Sequence, residues 1–195
     1  MIKGFDLKLK DADVWYYPEF FTKSESEGYY QVLLSETKWQ QDDITVFGKN
    51  YKQPRLTALY GNNNKPYSYS NITMQPHPFN KELQEIKSKI ETIVNEIFTT
   101  CLLNLYRNGQ DSNGWHADNE KELGKNPVIA SVSFGANRLF HLKHRRESDL
   151  KQKIVLESGS LLIMKGSTQH NWLHQIPKTK KKVEPRINLT FRILK

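Results

Sequence analysis

The chain changes its hydrophobic periodicity at Thr100, and this change constrains the fold more than any other feature. Upstream, Leu83, Ile86 and Ile90 keep a three-four spacing, which predicts a helix with one buried face. Downstream, short apolar or alternating runs separated by turn residues such as Gly159 predict strands. These strands are 101–107, 128–135, 138–144, 153–157, 160–165, 170–176 and 186–194. Many short strands after two helices favour a mainly β sandwich or barrel with flanking helices.

Two helices are expected before these strands. Ser24 and Glu27 have the spacing of a capping box and predict the start of the first helix. Asn80 is the expected N-cap of the second helix. Its predicted buried face consists of Leu83, Ile86, Ile90, Ile93, Val94 and Ile97. A strand-rich segment, 44–75, lies between the two helices.

The composition is that of a globular chain. Of its 195 residues, 37% are hydrophobic and 26% charged, and no run reaches the roughly 18 apolar residues of a membrane span. The N-terminus carries frequent charges and does not resemble a secretory signal. The single cysteine, Cys101, excludes an internal disulfide, and its apolar neighbours favour a buried thiol over a nucleophile. We therefore expect an intracellular monomer without a linker, cytoplasmic in a bacterium or nuclear in a eukaryote.

The basic charge is concentrated at one end of the chain. Residues 138–195 hold 14 Lys and Arg against 4 Asp and Glu, whereas residues 1–137 hold 15 against 17. The cations are densest around Lys143, Arg145 and Arg146 and from Lys178 to Lys182. Such a cluster suits a phosphate backbone, although a solubilising loop has the same composition.

A candidate metal site begins at His116 and Asp118, which are separated by Ala117. Residues i and i+2 of an extended segment point to one face, so both side chains could bind one ion. By chance, 6 His and 8 Asp in this chain give roughly 0.25 such pairs, so the pair alone is weak evidence. A two-histidine, one-carboxylate iron site needs a second histidine.

Two histidines compete for that third position. His170 and His174 fall four residues apart in one predicted strand, so the spacing does not choose between them. His141 and His144 lie in the basic segment and are expected to be solvated or to face phosphate.

The last strand alternates cleanly between apolar and polar residues. Arg186, Asn188, Thr190 and Arg192 share one face. The two arginines are roughly 20 Å apart at Cα, and they could reach opposite ends of a small dicarboxylate if this face is internal. If the face is external, they are simply solvated.

Taken together, these residues resemble the AlkB family of iron(II)- and 2-oxoglutarate-dependent nucleic-acid demethylases. The resemblance runs from about Val46 to Arg192. The matching motifs are Val46-Phe47-Gly48-Lys49, Pro54-Arg55-Leu56-Thr57, Tyr60-Gly61, Tyr67-Ser68-Tyr69-Ser70, Asn104-Leu105-Tyr106, His116-Ala117-Asp118, Ala130 to Ala136, Trp172-Leu173-His174, and Arg186 to Arg192.

The resemblance implies a double-stranded β-helix, or jelly-roll, in one domain. Residues 80–195 would form the supporting helix and the core, and residues 1–79 would form an N-terminal helix and a nucleotide-recognition lid. It implies iron(II) bound by His116, Asp118 and His174, because the family's distal ligand occupies the Trp-x-His position before a proline. The cosubstrates would be O₂ and 2-oxoglutarate. The residues implied for 2-oxoglutarate are Asn104, Tyr106, Arg186, Asn188 and Arg192.

The resemblance also implies a flipped target base. Tyr69 would stack on the base, Tyr67 would hydrogen-bond nearby, and Glu120 would approach the exocyclic amino group. Core packing is the alternative role for each aromatic residue. Phe47 is a candidate wedge in a duplex. The remaining nucleic-acid contacts would be Arg55, Lys143, Arg145 and Arg146.

The expected activity is oxidative demethylation of 1-methyladenine and 3-methylcytosine in DNA, with RNA as a further candidate. One alternative is a protein or small-molecule hydroxylase on the same fold, and another is a non-enzymatic nucleic-acid binder. Asn119 replaces an acid that is frequent in the family, which leaves the details of base recognition open.

Overall fold

The structure is built mainly from short strands. The computed structural model describes residues 3–46, 48–63, 65–69 and 72–195. The strands are β1 (Phe5–Asp6), β2 (Asp13–Tyr17), β3 (Asp43–Val46), β4 (Lys49–Lys52), β5 (Leu56–Gly61), β6 (Tyr67–Tyr69), β7 (Ile72–Met74), β8 (His77–Pro78), β9 (Thr100–Tyr106), β10 (Asn113–His116), β11 (Ile129–Gly135), β12 (Arg138–His144), β13 (Lys151–Leu156), β14 (Ser160–Lys165), β15 (Trp172–Ile176) and β16 (Arg186–Arg192). The helices are α1 (Lys23–Glu36), α2 (Lys81–Val94) and α3 (Thr168–Asn171), with a 3₁₀ turn at Lys121–Leu123. None of the helices in the described ranges is long and apolar enough to cross a membrane.

Two sheets face each other across a cavity. The major sheet has eight strands in the order β1-β2-β14-β11-β16-β9-β5-β8, and the minor sheet has four in the order β10-β15-β12-β13. The hairpins β3–β4 and β6–β7 form two further small sheets. This architecture confirms the expected jelly-roll core, and most of the expected strands appear within one or two residues of their predicted bounds.

The central strand β16 explains how the major sheet is supported. It pairs with β9 on one side and β11 on the other, and every residue from Arg186 to Arg192 is buried. Its apolar side chains join a core cluster with Leu33 of α1 and Ile86 of α2. Its polar side chains therefore point to the opposite face of the sheet, toward the cavity, because successive residues of a strand alternate.

The helices form for the expected reason, but their ends differ from the prediction. The N-cap of α1 is Thr22, not Ser24: Thr22 Oγ1 accepts from Glu25 N at 3.2 Å, and Thr22 N donates to Glu25 Oε2 at 2.7 Å. Ser24 is exposed within the first turn. Asn80 caps α2 as predicted.

The buried face of α2 is shorter than the periodicity predicted. Leu83, Ile86 and Ile90 are fully buried, whereas Ile93 is 38% exposed and Ile97 is 72% exposed. The helix ends at Val94 because Asn95 adopts a left-handed conformation with φ of 54°. Ile97 therefore lies beyond the helix and does not belong to its face.

The segment predicted as strand 170–176 is divided. Thr168–Asn171 forms the short helix α3, and the strand begins only at Trp172. His170 and His174 therefore do not share a strand, and the expectation that both could face inward is wrong.

The position of the α1 cap can be tested by stability. Thr22→Ala should lower the free energy of unfolding by about 0.5–2 kcal/mol, because it removes the side-chain half of the capping box. Ser24→Ala, which removes an exposed hydroxyl in the same turn, should change it by less than about 0.5 kcal/mol. Urea unfolding followed by circular dichroism would measure both. An equal loss in the two variants would contradict the assigned cap.

Candidate active site

A cavity of about 210 Å³ lies between the major and minor sheets. The expected iron and 2-oxoglutarate residues all line it, together with Tyr67, Glu120 and Arg55. They come from both sheets, so the cavity lies between the two.

The predicted metal ligands meet in this cavity. His116 ends β10, His174 lies in the middle of β15, and these two residues are paired across the strands. Asp118 follows two residues after β10 ends. One ligand atom from each of the three side chains lies within 4.8 Å of the other two. The structure thus brings together two imidazoles and one carboxylate, a donor set that fits iron(II).

Asp118 is held in place by two neighbours. Its backbone N–H donates to Gln169 Oε1 at 2.9 Å, and its Oδ2 accepts from Arg192 Nη2 at 2.9 Å. Burial alone would raise the pKa of Asp118, but the attraction of Arg192 and the two histidines outweighs it and lowers the pKa to about 2. The carboxylate is therefore ionised and ready to bind a cation at neutral pH.

The two histidines are also placed so that they can bind a metal. Burial lowers the pKa of His174 to about 3, so its ring is neutral, and it stacks on Phe140 with centroids 5.2 Å apart. His116 Nδ1 lies 2.8 Å from Gly114 O. A carbonyl only accepts, so in the neutral ring Nδ1 is the donor. Nε2 then accepts from Asn113 Nδ2 at 3.2 Å and lies 3.7 Å from Asp118 Oδ1, on the side of the other two ligands.

His170 does not take part in this cluster. Its side chain is exposed on α3, whereas His174 is 5% exposed and faces the cavity. His144 also departs from expectation: it is buried, and its Nδ1 accepts from the backbone N–H groups of Arg146 and Glu147. It is neither solvated nor facing phosphate.

The far end of the cavity is cationic. Arg186 is 1% exposed, and only its Nη2 is engaged, donating to Ser133 Oγ at 2.8 Å. Its Nε and Nη1 are buried without a hydrogen-bond partner among the described residues. Burial lowers the pKa of Arg186 to about 10 against the opposing effect of Tyr106, whose ring lies beneath it at 5.2 Å. A buried guanidinium that remains charged with two open donors fits an anionic ligand such as the distal carboxylate of 2-oxoglutarate.

Two asparagines line the cavity wall between this end and the metal ligands. Asn188 donates to Ser131 Oγ at 2.8 Å, and Asn104 Oδ1 accepts from Arg55 Nε at 2.8 Å. Arg192 binds Asp118 through Nε and Nη2, while its Nη1 has no hydrogen-bond partner among the described residues. One nitrogen of Arg192 thus remains for an anion beside the metal.

Three of the predicted substrate residues can be placed. Tyr67 is 1% exposed beneath Arg192, and burial raises its pKa more than Arg192 lowers it. Glu120 lines the same cavity. Arg55, predicted to contact the nucleic acid, is 7% exposed, lines the cavity and donates to Asn104.

The other predicted substrate contacts differ in how far they can be placed. Phe47 lies outside the described residues, and so does the side chain of Tyr69. Arg145 and Arg146 are exposed just after β12. Lys143 is half-buried, with its Nζ 4.4 Å from the centroid of the Trp115 ring.

Sequence reasoning missed Gln169, Ser131 and Ser133. Gln169 is fully buried and positions Asp118, but its signal is tertiary, because the two residues are 51 positions apart. The two serines did have a sequence signal. They alternate in β11 just as the polar residues do in β16, and Ser131↔Thr190 and Ser133↔Asn188 are direct cross-strand pairs.

Comparison with known proteins agrees with this site. Residues 13–192 match the family described as the 2OG-Fe(II) oxygenase superfamily. The chain is 42% identical over 190 residues to the human alpha-ketoglutarate-dependent dioxygenase alkB homolog 3 and 36% identical over 186 residues to the human DNA oxidative demethylase ALKBH2. The chain belongs to the AlkB family. Each alignment includes 90% of this chain, with 64% of the homolog 3 relative and 71% of the ALKBH2 relative.

The fold of this AlkB-family chain also matches a solved structure. "The structure of OsALKBH1" superimposes with a TM-score of 0.66 at 19% identity, covering 92% of this chain and 96% of that one. This likeness confirms the double-stranded β-helix. Membership of the family implies iron(II), 2-oxoglutarate and O₂ as cofactors. The triad suits iron(II), and the open donors of Arg186 suit 2-oxoglutarate.

The choice of the distal ligand can be tested by metal binding. His174→Ala should abolish stoichiometric binding of iron(II), measured anaerobically by calorimetry, because it removes one of three ligands. His170→Ala should bind iron(II) like the wild type, because that ring is exposed on α3. Retained binding in the first variant, or lost binding in the second, would contradict the assignment.

The buried ion pair between Arg192 and Asp118 should contribute strongly to the free energy of unfolding. In metal-free protein, Arg192→Met should cost about 3–5 kcal/mol of unfolding free energy, because it leaves the buried Asp118 charge without a partner. Arg146→Met removes an exposed arginine and should cost less than about 0.5 kcal/mol. Urea unfolding in the presence of a chelator would compare them. Adding Asp118→Asn to Arg192→Met should recover part of the loss, and no recovery would argue against an electrostatic cause.

Proposed function

We propose that this protein removes methyl groups oxidatively from alkylated bases in DNA, with RNA as a further substrate. The observation that carries the proposal is one cavity lined at one end by the His116, Asp118 and His174 cluster and at the other by two open donors of Arg186. A metal and a dicarboxylate can therefore be held side by side. The relative named DNA oxidative demethylase ALKBH2 supports DNA as the substrate class.

The chemistry belongs to the cofactors, and the chain positions the reactants. Iron(II), 2-oxoglutarate and O₂ supply the oxidation of an N-methyl group, with succinate and CO₂ formed from 2-oxoglutarate. The bond between the hydroxymethyl carbon and the base nitrogen then breaks. Its electron pair stays on the nitrogen, the hydroxyl proton is released, and the carbon leaves as formaldehyde, so the cationic lesion becomes the neutral base. One oxygen atom of O₂ enters succinate and the other enters formaldehyde, so the atoms balance.

We assign the binding of 2-oxoglutarate to the polar face of β16 and its neighbours. Arg186 would bind the distal carboxylate by a charge-assisted fork, with the Tyr106 hydroxyl beside it. Arg192 would offer Nη1 to the carboxylate nearest the metal while its other nitrogens keep Asp118 in place. Asn104 would hydrogen-bond the cosubstrate from the cavity wall. Asn188 would do so by exchanging one of its present acceptors, because its amide donates to Ser131 Oγ at 2.8 Å and to Val132 O at 3.0 Å.

The target base would enter the same cavity next to the metal. Tyr67 and Glu120 both line it, and Tyr69 follows Tyr67 in β6. 1-Methyladenine and 3-methylcytosine are both cationic, so the nearby Glu120 and Asp118 carboxylates would favour them over neutral bases. Tyr69 would stack on the flipped base.

The backbone of the nucleic acid would follow the basic end of the chain. Arg145 and Arg146 are exposed, and Lys143 lies beside them, so all three would contact phosphate. Phe47 would act as the wedge in a duplex. A DNA substrate and the single buried Cys101 support an intracellular monomer, cytoplasmic in a bacterium or nuclear in a eukaryote.

The proposal can be tested with a panel of methylated oligonucleotides, single- and double-stranded, in DNA and RNA. Mass spectrometry should show loss of one methyl group that depends on iron(II) and 2-oxoglutarate. Arg186→Met should raise the KM for 2-oxoglutarate by about tenfold or more, because it removes a charged hydrogen bond of the order of 1.5–3 kcal/mol.

His116→Ala is the control for chemistry, since it should abolish demethylation and leave oligonucleotide affinity largely unchanged. Succinate formation by the wild type with unchanged oligonucleotides would favour a protein or small-molecule hydroxylase instead. If no 2-oxoglutarate were consumed with any substrate, a non-enzymatic binder would be the better description.

A further inference from the structure

The minor sheet has a second face, which points away from the cavity and contains residues that take no part in the active site. Strand pairing identifies its members: Lys143 pairs with Lys151 and Leu173, and His141 pairs with Lys153 and Gln175. We call this surface the outer lysine face. Its outward positions are Trp115 of β10, Leu173 and Gln175 of β15, Leu139, His141 and Lys143 of β12, and Lys151, Lys153 and Val155 of β13.

The charge of the outer lysine face has one sign. Its nine positions, all within the described part of the chain, include three lysines and no aspartate or glutamate. Lys151 and Lys153 are exposed. The turn between β12 and β13 contains two acids, of which Glu147 is bound by Lys10 at 2.8 Å and Asp149 accepts from Ser148 Oγ at 3.5 Å. Adjacent like charges on one sheet face disfavour each other unless an anion lies across them.

Trp115 supplies an aromatic surface on the same face. It is 39% exposed and follows Gly114, which is also exposed, in β10. Lys143 Nζ lies 4.4 Å from its ring centroid, and the His141 ring is 6.5 Å away. An exposed cation–π contact is weaker than stacking of a nucleobase on an aromatic ring, so a base can displace the lysine toward a phosphate.

The outer lysine face is continuous with the mouth of the cavity. Trp115 and His116 are neighbours in β10, which is the edge strand of the minor sheet. His116 points inward and keeps 34% of its side chain exposed at the mouth, and Trp115 points outward. A strand of nucleic acid that leaves the cavity over this edge therefore meets Trp115 first and then the lysines.

We propose that the outer lysine face binds the single-stranded segment that flanks the target base, with one base stacked on Trp115 and phosphates on Lys143, Lys151 and Lys153. This inference rests on the function proposed above and extends it to a surface outside the cavity. An exposed aromatic ring among cations is the combination that single-strand binding requires, whereas an acidic peptide would need only the lysines.

The first test is direct binding, which does not depend on turnover. Fluorescence anisotropy with an unmethylated single-stranded oligonucleotide of about 15 nucleotides should show a Kd about tenfold weaker for Trp115→Ala, the effect of losing one stacked base. Trp115→Phe should keep most of the affinity. Lys153→Ala should reduce the slope of log affinity against log salt by about one, whereas Trp115→Ala should leave it unchanged.

Lys81→Ala is the matched control, since Lys81 is an exposed lysine on α2, in the helical layer on the other side of the major sheet, with a side chain 81% exposed. It should change neither affinity nor slope. An unchanged Kd in Trp115→Ala, or equal losses in Lys153→Ala and Lys81→Ala, would overturn the proposal. Loss of affinity in Lys153→Ala with none in Trp115→Ala would instead indicate a purely electrostatic surface without base stacking.

The second test separates this surface from the catalytic site. For Trp115→Ala, kcat/KM should fall about tenfold on a long methylated strand and stay within twofold on a methylated trinucleotide, which is too short to reach the face. Absence of turnover by the wild type on both substrates would refute the proposed function and leave the binding test in force. Equal losses on both substrates would show that the variant disturbs His116, and the outer lysine face would then be rejected.

Discussion

The buried ion pair between Arg192 and Asp118 is the interaction on which the site depends. It joins the last strand of the major sheet to the loop that follows β10, at a distance of 2.9 Å. Neither charge would be tolerated alone in this environment, so the two must be buried together. The pair keeps Asp118 ionised for a metal and holds it in place, and it leaves one nitrogen of Arg192 for an anion.

The two faces of β16 explain why such a charged cavity can exist inside a small domain. One face packs its apolar side chains against α1 and α2, and that burial stabilises the sheet. The other face presents two arginines, an asparagine and a threonine to the cavity. Because the strand is central and paired on both sides, these polar groups are held by a rigid backbone, and the order of the ligands follows from the pairing register.

The two faces of the minor sheet also carry side chains with different roles. Its inner face carries His116 and His174 as a cross-strand pair, and its outer face carries Trp115 and the lysines. Because successive side chains of a strand point to opposite faces, the minor sheet places the metal ligands on one side and the cationic surface on the other. Since β10 is an edge strand, the two faces are joined at the mouth of the cavity.

Sequence patterns were sufficient to predict the elements that depend on residues close together in the chain. The alternation of β16, the periodicity of α2 and the His116–Asp118 spacing were all readable, because each depends on residues within a few positions of one another. The family motifs then pointed to His174. The choice between Thr22 and Ser24 as the helix cap was not readable, since both spacings match a capping box.

Which polar residues lie inside the cavity depends on how distant parts of the chain pack together. His170 lies outside the cavity because the chain forms α3 before β15 begins. Arg55 lies inside the cavity, where it donates to Asn104 on the neighbouring strand. Gln169 positions Asp118 across 51 residues of sequence. These outcomes depend on long-range pairing and burial, and a one-dimensional pattern carries no information about which distant groups will satisfy a buried charge or amide.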